Sequence, residues 1–388
     1  VHGDSRPLGD GPRGSAALAR ALGITRVARL TGLDRTGVEV ASAVRPGGHV
    51  LQVTNGKGAH FADAARGALL EAAELWGAEH PAAGGALGPC SVAELRARVG
   101  PGERVIDPAA LAPGPGPAPA EADVRRAWCR ARDLSGARAA WVPFDALYCP
   151  PPGGPLRPAT LRWTSNGMGA HPRRAAALLH ALLEAVERDQ LARALPDGFT
   201  EEAVARRALD PATLDRAAPR AAALAAALRE RGFRVHLLDL APGAAGPSPG
   251  DLGLPTAAAL LVDEDGGPVP VAAGYACRLG RDGALCAALL EAAQSRATEI
   301  HGAREDVAAS DRRAAAPLAA LLAAARPRRA AGLLPDAGPA APAASVRRVV
   351  ARLATAGLGL AAAAELPAPP GLWVMKVIVP GLLVSPLL

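Results

Sequence analysis

Acidic residues at helical spacing are the chemistry-bearing feature of this chain. Ala68 to Glu74 reads ALLEAAE, Ala181 to Glu187 reads ALLEAVE and Ala288 to Gln294 reads ALLEAAQ. Glu71 with Glu74 and Glu184 with Glu187 are therefore i, i+3 pairs, which lie side by side about 5–6 Å apart on a helix. A lone E-x-x-E is an ordinary solvated helix face, and Ala, Leu and Glu favour helix in any case. Copies separated by 113 residues (Glu71 to Glu184) and 107 residues (Glu184 to Glu291) are repeat-like. If the first two helices face each other, four carboxylates converge, and crowded carboxylates are costly unless a cation neutralises them. Mg2+ is the natural candidate, because it combines a few carboxylates with water and the oxygens of a polyphosphate. A carboxylate-bridged di-iron site is the competing metal reading, but it needs Glu-x-x-His, which these helices lack.

Thr54-Asn55-Gly56-Lys57-Gly58-Ala59-His60 precedes the first copy and Ser165-Asn166-Gly167-Met168-Gly169-Ala170-His171 the second. The chain uses only two Asn, Asn55 and Asn166, in the same slot of this string, and only two Lys, one of them Lys57. A single Asn-Gly is turn chemistry, in which both residues supply positive φ. The matched pair reads instead as two loops that each deliver a helix to a site. The chain has no G-x-x-x-x-G-K-[ST] loop, no G-x-G-x-x-G after a strand and no G-x-S-x-G with matching context. A bound nucleotide would thus be held by carboxylates acting through metal. His180 stands beside Glu184 on the second helix and is the histidine of interest.

The elements that must position these groups follow from periodicity. Helices are predicted over 62–79, from Pro172 onward and over 283–300, with further helices between 211 and 231 and over 346–354. Strands are predicted near 26–30, 38–44, 49–53, 139–147, 161–164, 233–240, 257–262 and 269–275, and a buried final strand over 372–379. The result is an α/β (α+β) fold of repeated strand-loop-helix units, mixed sheets packed by Ala- and Leu-rich helices, in one domain over 1–388. Residues 1–24 and 327–344 read as poorly ordered or loop segments, and 101–120 as a surface loop.

Composition excludes other classes. The formal charge of +6 comes from scattered residues, aromatics are 3% of the chain, and no basic run sits beside stacking side chains, so nucleic acid is not expected as a partner. Five Cys, odd in number and without a C-x-x-C pair, indicate neither disulfides nor structural zinc and fit a reducing cytosol. Neither a signal sequence nor a long unbroken apolar run is present, so a soluble, cytoplasmic protein without membrane contact is expected.

Taken together the motifs resemble the YcaO superfamily, which uses ATP without a Walker loop to activate peptide-backbone amides. The resemblance rests on Thr54-Asn55-Gly56-Lys57-Gly58 with Glu71 and Glu74, and on Ser165-Asn166-Gly167 with Leu179-His180, Glu184, Glu187, Arg188 and Asp189. It continues in Glu291-Ala292-Ala293-Gln294-Ser295-Arg296 with Gly302, Arg304 and Asp306, and in Val377-Ile378-Val379-Pro380-Gly381. Glu74-Leu75-Trp76 and Thr31-Gly32-Leu33-Asp34-Arg35 look most like the branch that works beside a TfuA-type partner. The resemblance implies that Glu71, Glu74, Glu184 and Glu187 hold Mg2+, and that Lys57, Asn166, Arg188, Gln294 and Arg296 join them in binding ATP. It implies a precursor peptide as substrate, in which an azoline or thioamide is installed, and a TfuA-like or leader-binding partner; a homodimer is compatible with it. Gly67, Leu75, His171-Pro172, Ala176 and Arg278 depart from the family's usual residues, and the Pro-x-Pro-x-Pro tail is missing. These departures leave a second expectation, a non-catalytic scaffold that recruits a precursor peptide or partner.

Overall fold

The computed structural model describes residues 12–82, 86–111, 124–136, 138–150, 161, 163–241, 250–304, 315–338 and 340–385. Three strand–helix units carry the repeated strings. In the first, Arg26–Arg29, Glu39–Val44 and Val53–Gly58 form an antiparallel sheet whose last strand runs into helix Phe61–Glu79. In the third, Phe233–Asp239, Thr256–Asp263 and Val271–Cys277 do the same before helix Arg281–His301. The second unit borrows from the end of the chain. Its strand Met168–His171, which leads into helix Arg174–Ala194, lies at the edge of a seven-stranded sheet beside Trp373–Ile378. Ala362–Leu366 and Arg126–Asp133 continue that sheet, and Arg104–Val105 pairs in parallel with Ala139–Pro143 at its far side. The fold is thus mixed α/β, as the sequence suggested.

Each unit's helix packs on its own edge strand and on the next unit's as well. Helix Phe61–Glu79 reaches Met168–His171, helix Arg174–Ala194 reaches Val271–Cys277, and helix Arg281–His301 returns to Val53–Gly58, closing a ring. Small residues make this double contact possible. On the first helix Ala64, Ala68, Ala72, Ala73 and Ala78 are all buried, so sheets approach from more than one side. Glycine on the strands completes the fit. A Cβ on Gly56 would lie 2.0 Å from the Ala64 carbonyl oxygen, and one on Gly169 would lie 2.3 Å from that of Ala177. On the third strand a Cβ on Gly274 would meet the Ala292 nitrogen at 2.2 Å.

This packing corrects the expected loops. Thr54 to Gly58 is strand rather than loop, and the expected strand near 49–53 contributes only Val53. Met168 to His171 is likewise strand, preceded by a turn at Asn166-Gly167 in which Gly167 has φ +76°. Gly56 serves close approach to a helix, whereas Gly167 serves a turn. The two Asn therefore do not occupy equivalent places: at the 113-residue offset shared by the helices, the counterpart of Asn55 is Met168. The three repeat helices begin within two residues of expectation, and the first and third end within one. Ala139–Pro143 is strand but turns into the short helix Phe144–Leu147. Of the segments read as poorly ordered, 12–21 is helix and 327–344 holds strand Arg329–Ala330 and the start of helix Pro342–Thr355, while 1–11 lie outside the described residues.

Candidate functional site

Where the units meet, an edge strand leaves backbone N–H groups without a ladder partner, and the repeated glutamates take them up. Glu71 Oε2 accepts from Asn55 N at 3.0 Å, Glu184 Oε2 from Met168 N at 3.1 Å and Glu291 Oε1 from Tyr275 N at 3.3 Å. All three bonds reach back 16 residues, from helix to own strand. The second glutamate of each pair crosses to the next unit: Glu74 Oε1 accepts from Ala170 N at 2.7 Å and Glu187 Oε2 from Cys277 N at 3.0 Å. Five carboxylates from three helices are thereby aimed into one cleft.

Protein cations face them. Arg188 stands 3.6 Å from both Glu184 Oε1 and Glu187 Oε1, Lys57 Nζ is 2.8 Å from Glu291 Oε2, and Arg304 is 4.0 Å from Glu71. Lys376, on the last strand, donates to the carbonyls of Thr164 at 2.5 Å and Asn166 at 2.7 Å. The cleft is walled but open to water: side-chain exposure is 32% for Glu71, 21% for Glu184 and 7% for Glu187.

These cations do not neutralise the cluster. Burial pushes the carboxyl groups of Glu71, Glu184 and Glu187 up, against the opposing pull of Arg304 on the first and Arg188 on the other two. Glu74 is driven well above the usual carboxylate range by burial and then by the charges of Glu184 and Glu71. Burial also raises Glu291, but Lys57 and Arg188 outweigh it and hold that group low. His180 keeps solvent contact yet is pushed down, first by its enclosure and then by Arg278 and Lys57. Glu184 is the hub, since its charge acts on Glu71, Glu74 and Glu187 and it is raised in turn by Glu291.

Raised carboxyl pKa values fix the sign of the pH response. Between the unfolded carboxyl pKa and the higher folded values the native state binds more protons, so this contribution to stability is full below that window and is lost as pH rises through it. Glu291, held low, contributes with the opposite sign. A divalent cation entering the cleft must expel protons from Glu71, Glu74, Glu184 and Glu187. Calorimetry of Mg2+ with a nucleotide analogue in two buffers of different ionisation enthalpy is expected to show net proton release on the acid side, shrinking as pH rises.

The donor set suits Mg2+ better than an all-protein metal cage. Among the described residues, no three His, Cys, Asp or Glu side chains enclose a single ion by themselves, because each glutamate commits one oxygen to a backbone N–H. Mg2+ is bound by one or two carboxylates with the remaining positions left to water and phosphate, which is the arrangement that half-committed carboxylates offer.

Not every expected residue reaches the cleft. Lys57, Glu71, Glu74, Glu184, Glu187 and Arg188 do. Asn166 contributes its carbonyl to Lys376, and Gln294 lies one turn before Thr298, whose hydroxyl accepts from Asn55 Nδ2 at 2.9 Å. Asn55 Oδ1 is buried with no partner among the described residues. Arg296 is placed elsewhere, correcting its expected role. It is 1% exposed and clamps Asp34 through Nε at 3.0 Å and Asp263 through Nη2 at 2.7 Å, above the Phe233 ring. Asp34 and Arg35, from the run that suggested the TfuA-type branch, belong to this clamp, Arg35 bonding Asp263 from the other side. Arg296→Met is expected to strand Asp34, leave Asp263 to Arg35 alone and destabilise the fold by about 3 kcal/mol. A lowered denaturation midpoint with unchanged nucleotide affinity in the folded protein would be the result. Sequence reasoning missed Lys376, although it is the second of only two lysines. A small cavity lined by Ala208, Leu209, Leu214, Val235 and Leu237 holds none of the cleft residues.

The family model described as YcaO cyclodehydratase, ATP- and Mg2+-binding, matches residues 55–383. A protein of Methanothermobacter thermautotrophicus is 30% identical over 302 residues, 74% of this chain and 68% of that one. One encoded in the tfuA 3′ region of Rhizobium leguminosarum bv. trifolii is 30% identical over 293 residues, 74% of this chain and 65% of its own length. Among solved structures, YcaO from Methanopyrus kandleri bound with AMPPCP and Mg2+ superposes with a TM-score of 0.69 at 21% identity, over 95% of this chain and 88% of that one. A heterocyclase in complex with substrate and cofactor gives 0.72 at 20% identity, over 99% of this chain but 54% of the larger one. The chain thus spans about half of that heterocyclase and roughly two thirds of the curated relatives.

Proposed function

The chain belongs to the YcaO family, and from that premise we propose that it activates a peptide-backbone amide with ATP and Mg2+, installing an azoline or a thioamide. The observation that carries this reading is the ring of incompletely neutralised carboxylates, each fixed by a backbone N–H and turned into one open cleft. Glu71, Glu74, Glu184 and Glu187 would hold Mg2+, which supplies charge neutralisation for a triphosphate. Arg188, fixed between Glu184 and Glu187, and Lys57, fixed on Glu291, are cations placed to meet phosphate oxygens. Asn166 and Gln294 stay with the nucleotide side of the site, whereas Arg296 is assigned to the fold.

In this reading the amide oxygen takes the γ-phosphoryl group of ATP, leaving ADP. A thiol or hydroxyl of the neighbouring side chain adds to the amide carbon, its proton and the amide N–H proton are lost, and the oxygen departs as phosphate to leave the C=N bond of the azoline. An external sulfur donor in place of the side chain gives the thioamide. Holding both reactants in register carries most of the rate in such transfers. The relative encoded beside tfuA supports a partner protein that delivers sulfur or the peptide.

The test is incubation of the purified protein with Mg2+, ATP and Cys-containing peptides, with and without sulfide. Peptide-dependent ADP release with loss of one water from the peptide marks an azoline, and oxygen-for-sulfur exchange marks a thioamide. Nucleotide binding without either product would favour the scaffold reading. That alternative draws on Arg278, which stands at the cleft and bonds the Cys277 carbonyl at 2.7 Å in place of the family's usual residue.

A further inference from the structure

Of 43 lysines and arginines only two are lysine, and both stand in this cleft. Lys57 pairs with Glu291 at its open side. Lys376 is 3% exposed, so its ammonium has little surface to offer an incoming ligand. What surrounds it is oxygen: the carbonyls of Thr164 and Asn166 accept from it at 2.5 and 2.7 Å, while burial pushes its ammonium down to about 8 against the opposing pull of Glu184 and Glu74. The Trp163 ring lies 5.6 Å from Nζ on another side. Two carbonyls in contact, with the charges of two carboxylates acting from further off, are oxygen surroundings that favour a hard cation.

We propose that Lys376 is a tethered resident cation, permanently filling an oxygen-lined position that a free metal ion would otherwise take, so that exchangeable cations are confined to the rest of the cleft. An ammonium suits this place because it is a compact point charge with three donors, whereas a guanidinium is a planar fork too wide for it. In a chain that otherwise uses arginine throughout, lysine here meets a steric and chemical demand. The position also explains how Glu184 is set. Lys376 is paired across the sheet with Met168, the residue whose N–H binds Glu184, and it grips the Asn166 turn that leads into that strand. One side chain therefore fixes the backbone donor of Glu184 and compensates the charge of Glu184 and Glu74. The functional weight of this assignment rests on the nucleotide reading above, but its geometry does not.

The test uses Lys376→Met and the charge-balanced double variant Glu74→Gln with Lys376→Met. Thermal unfolding without nucleotide is compared in potassium chloride, magnesium chloride and N-methylglucamine chloride at equal ionic strength. Lys376→Met is expected to melt below wild type in N-methylglucamine and to recover by about 2 °C or more with potassium or magnesium. Wild type and the double variant should not distinguish potassium from N-methylglucamine, and the recovery of the single variant in magnesium is read as the excess over any rise that magnesium gives wild type. If the single variant does not fold, a folded, cation-indifferent double variant upholds the assignment, and failure of both overturns it. A folded Lys376→Met that is indifferent to cation identity also overturns it, since only packing would then have been lost. Calorimetry of AMPPCP with Mg2+ on wild type separates the two claims: absent binding sinks the nucleotide reading and leaves the cation assay standing.

Discussion

Glu184→Gln is expected to lose affinity for AMPPCP with Mg2+ by about a hundredfold, while melting no lower than wild type without ligand. The amide keeps an oxygen to accept from Met168 N, so the strand–helix link of the second unit survives. What disappears is the charge at the hub of the cluster, where Glu184 acts on Glu71, Glu74 and Glu187. Without a bound cation that charge is a burden, since burial raises its own pKa and its presence raises those of its neighbours. With a cation it is a ligand. Removing one partner of a buried charge pair costs about 3 kcal/mol, which converts to about two decades in affinity. The signature is therefore opposite signs in two measurements on one variant. Calorimetry showing affinity within threefold of wild type would reduce the carboxylates to caps for strand edges.

Gly56→Val is expected to yield no folded protein. Its Cβ would lie 2.0 Å from the Ala64 oxygen and 2.3 Å from the Ala68 nitrogen, both backbone atoms of a helix packed on two sheets. Neither can move without parting strand from helix, so the cost exceeds about 4 kcal/mol, beyond the usual range for single substitutions. Gly67→Ala is the control. Its Cβ would lie 3.3 Å from Gly56 Cα, and the gain of about 1 kcal/mol in helix propensity offsets part of the crowding. Circular dichroism and thermal melts of both variants check this pair. A folded Gly56→Val melting within a few degrees of wild type would mean that the strand does not lie flat on its helix.

The helices and the glutamates were legible in the sequence because both signals are local. A repeated A-L-L-E string with an i, i+3 acid places its carboxylates whatever the tertiary contacts. The strands before the helices were not legible, because Asn-Gly-Lys-Gly is turn chemistry unless a helix lies close enough to exclude side chains, and that condition is tertiary. The same gap misaligned Asn55 with Asn166, whose true offset differs by two residues from that of the glutamates. Arg296 illustrates a different limit. Its place beside Gln294 suggested the nucleotide, but helical geometry turns side chains two positions apart to different faces, and Asp34 and Asp263 wait on the other one. Lys376 lay far from every repeat in sequence and was given away only by rarity.

The bonds that carry Glu74 and Glu187 to a neighbouring unit's strand make completion of the cleft depend on distant segments. Segments 96 and 90 residues apart must dock before Glu74 and Glu187 have their backbone donors, whereas Glu71, Glu184 and Glu291 find theirs within their own units. A half-formed chain thus holds only the locally anchored glutamates and lacks the two that join one unit to the next. Whatever ligand the cleft holds will accordingly be felt by the entire molecule as a shift of its unfolding equilibrium, so occupancy and integrity become a single thermodynamic quantity.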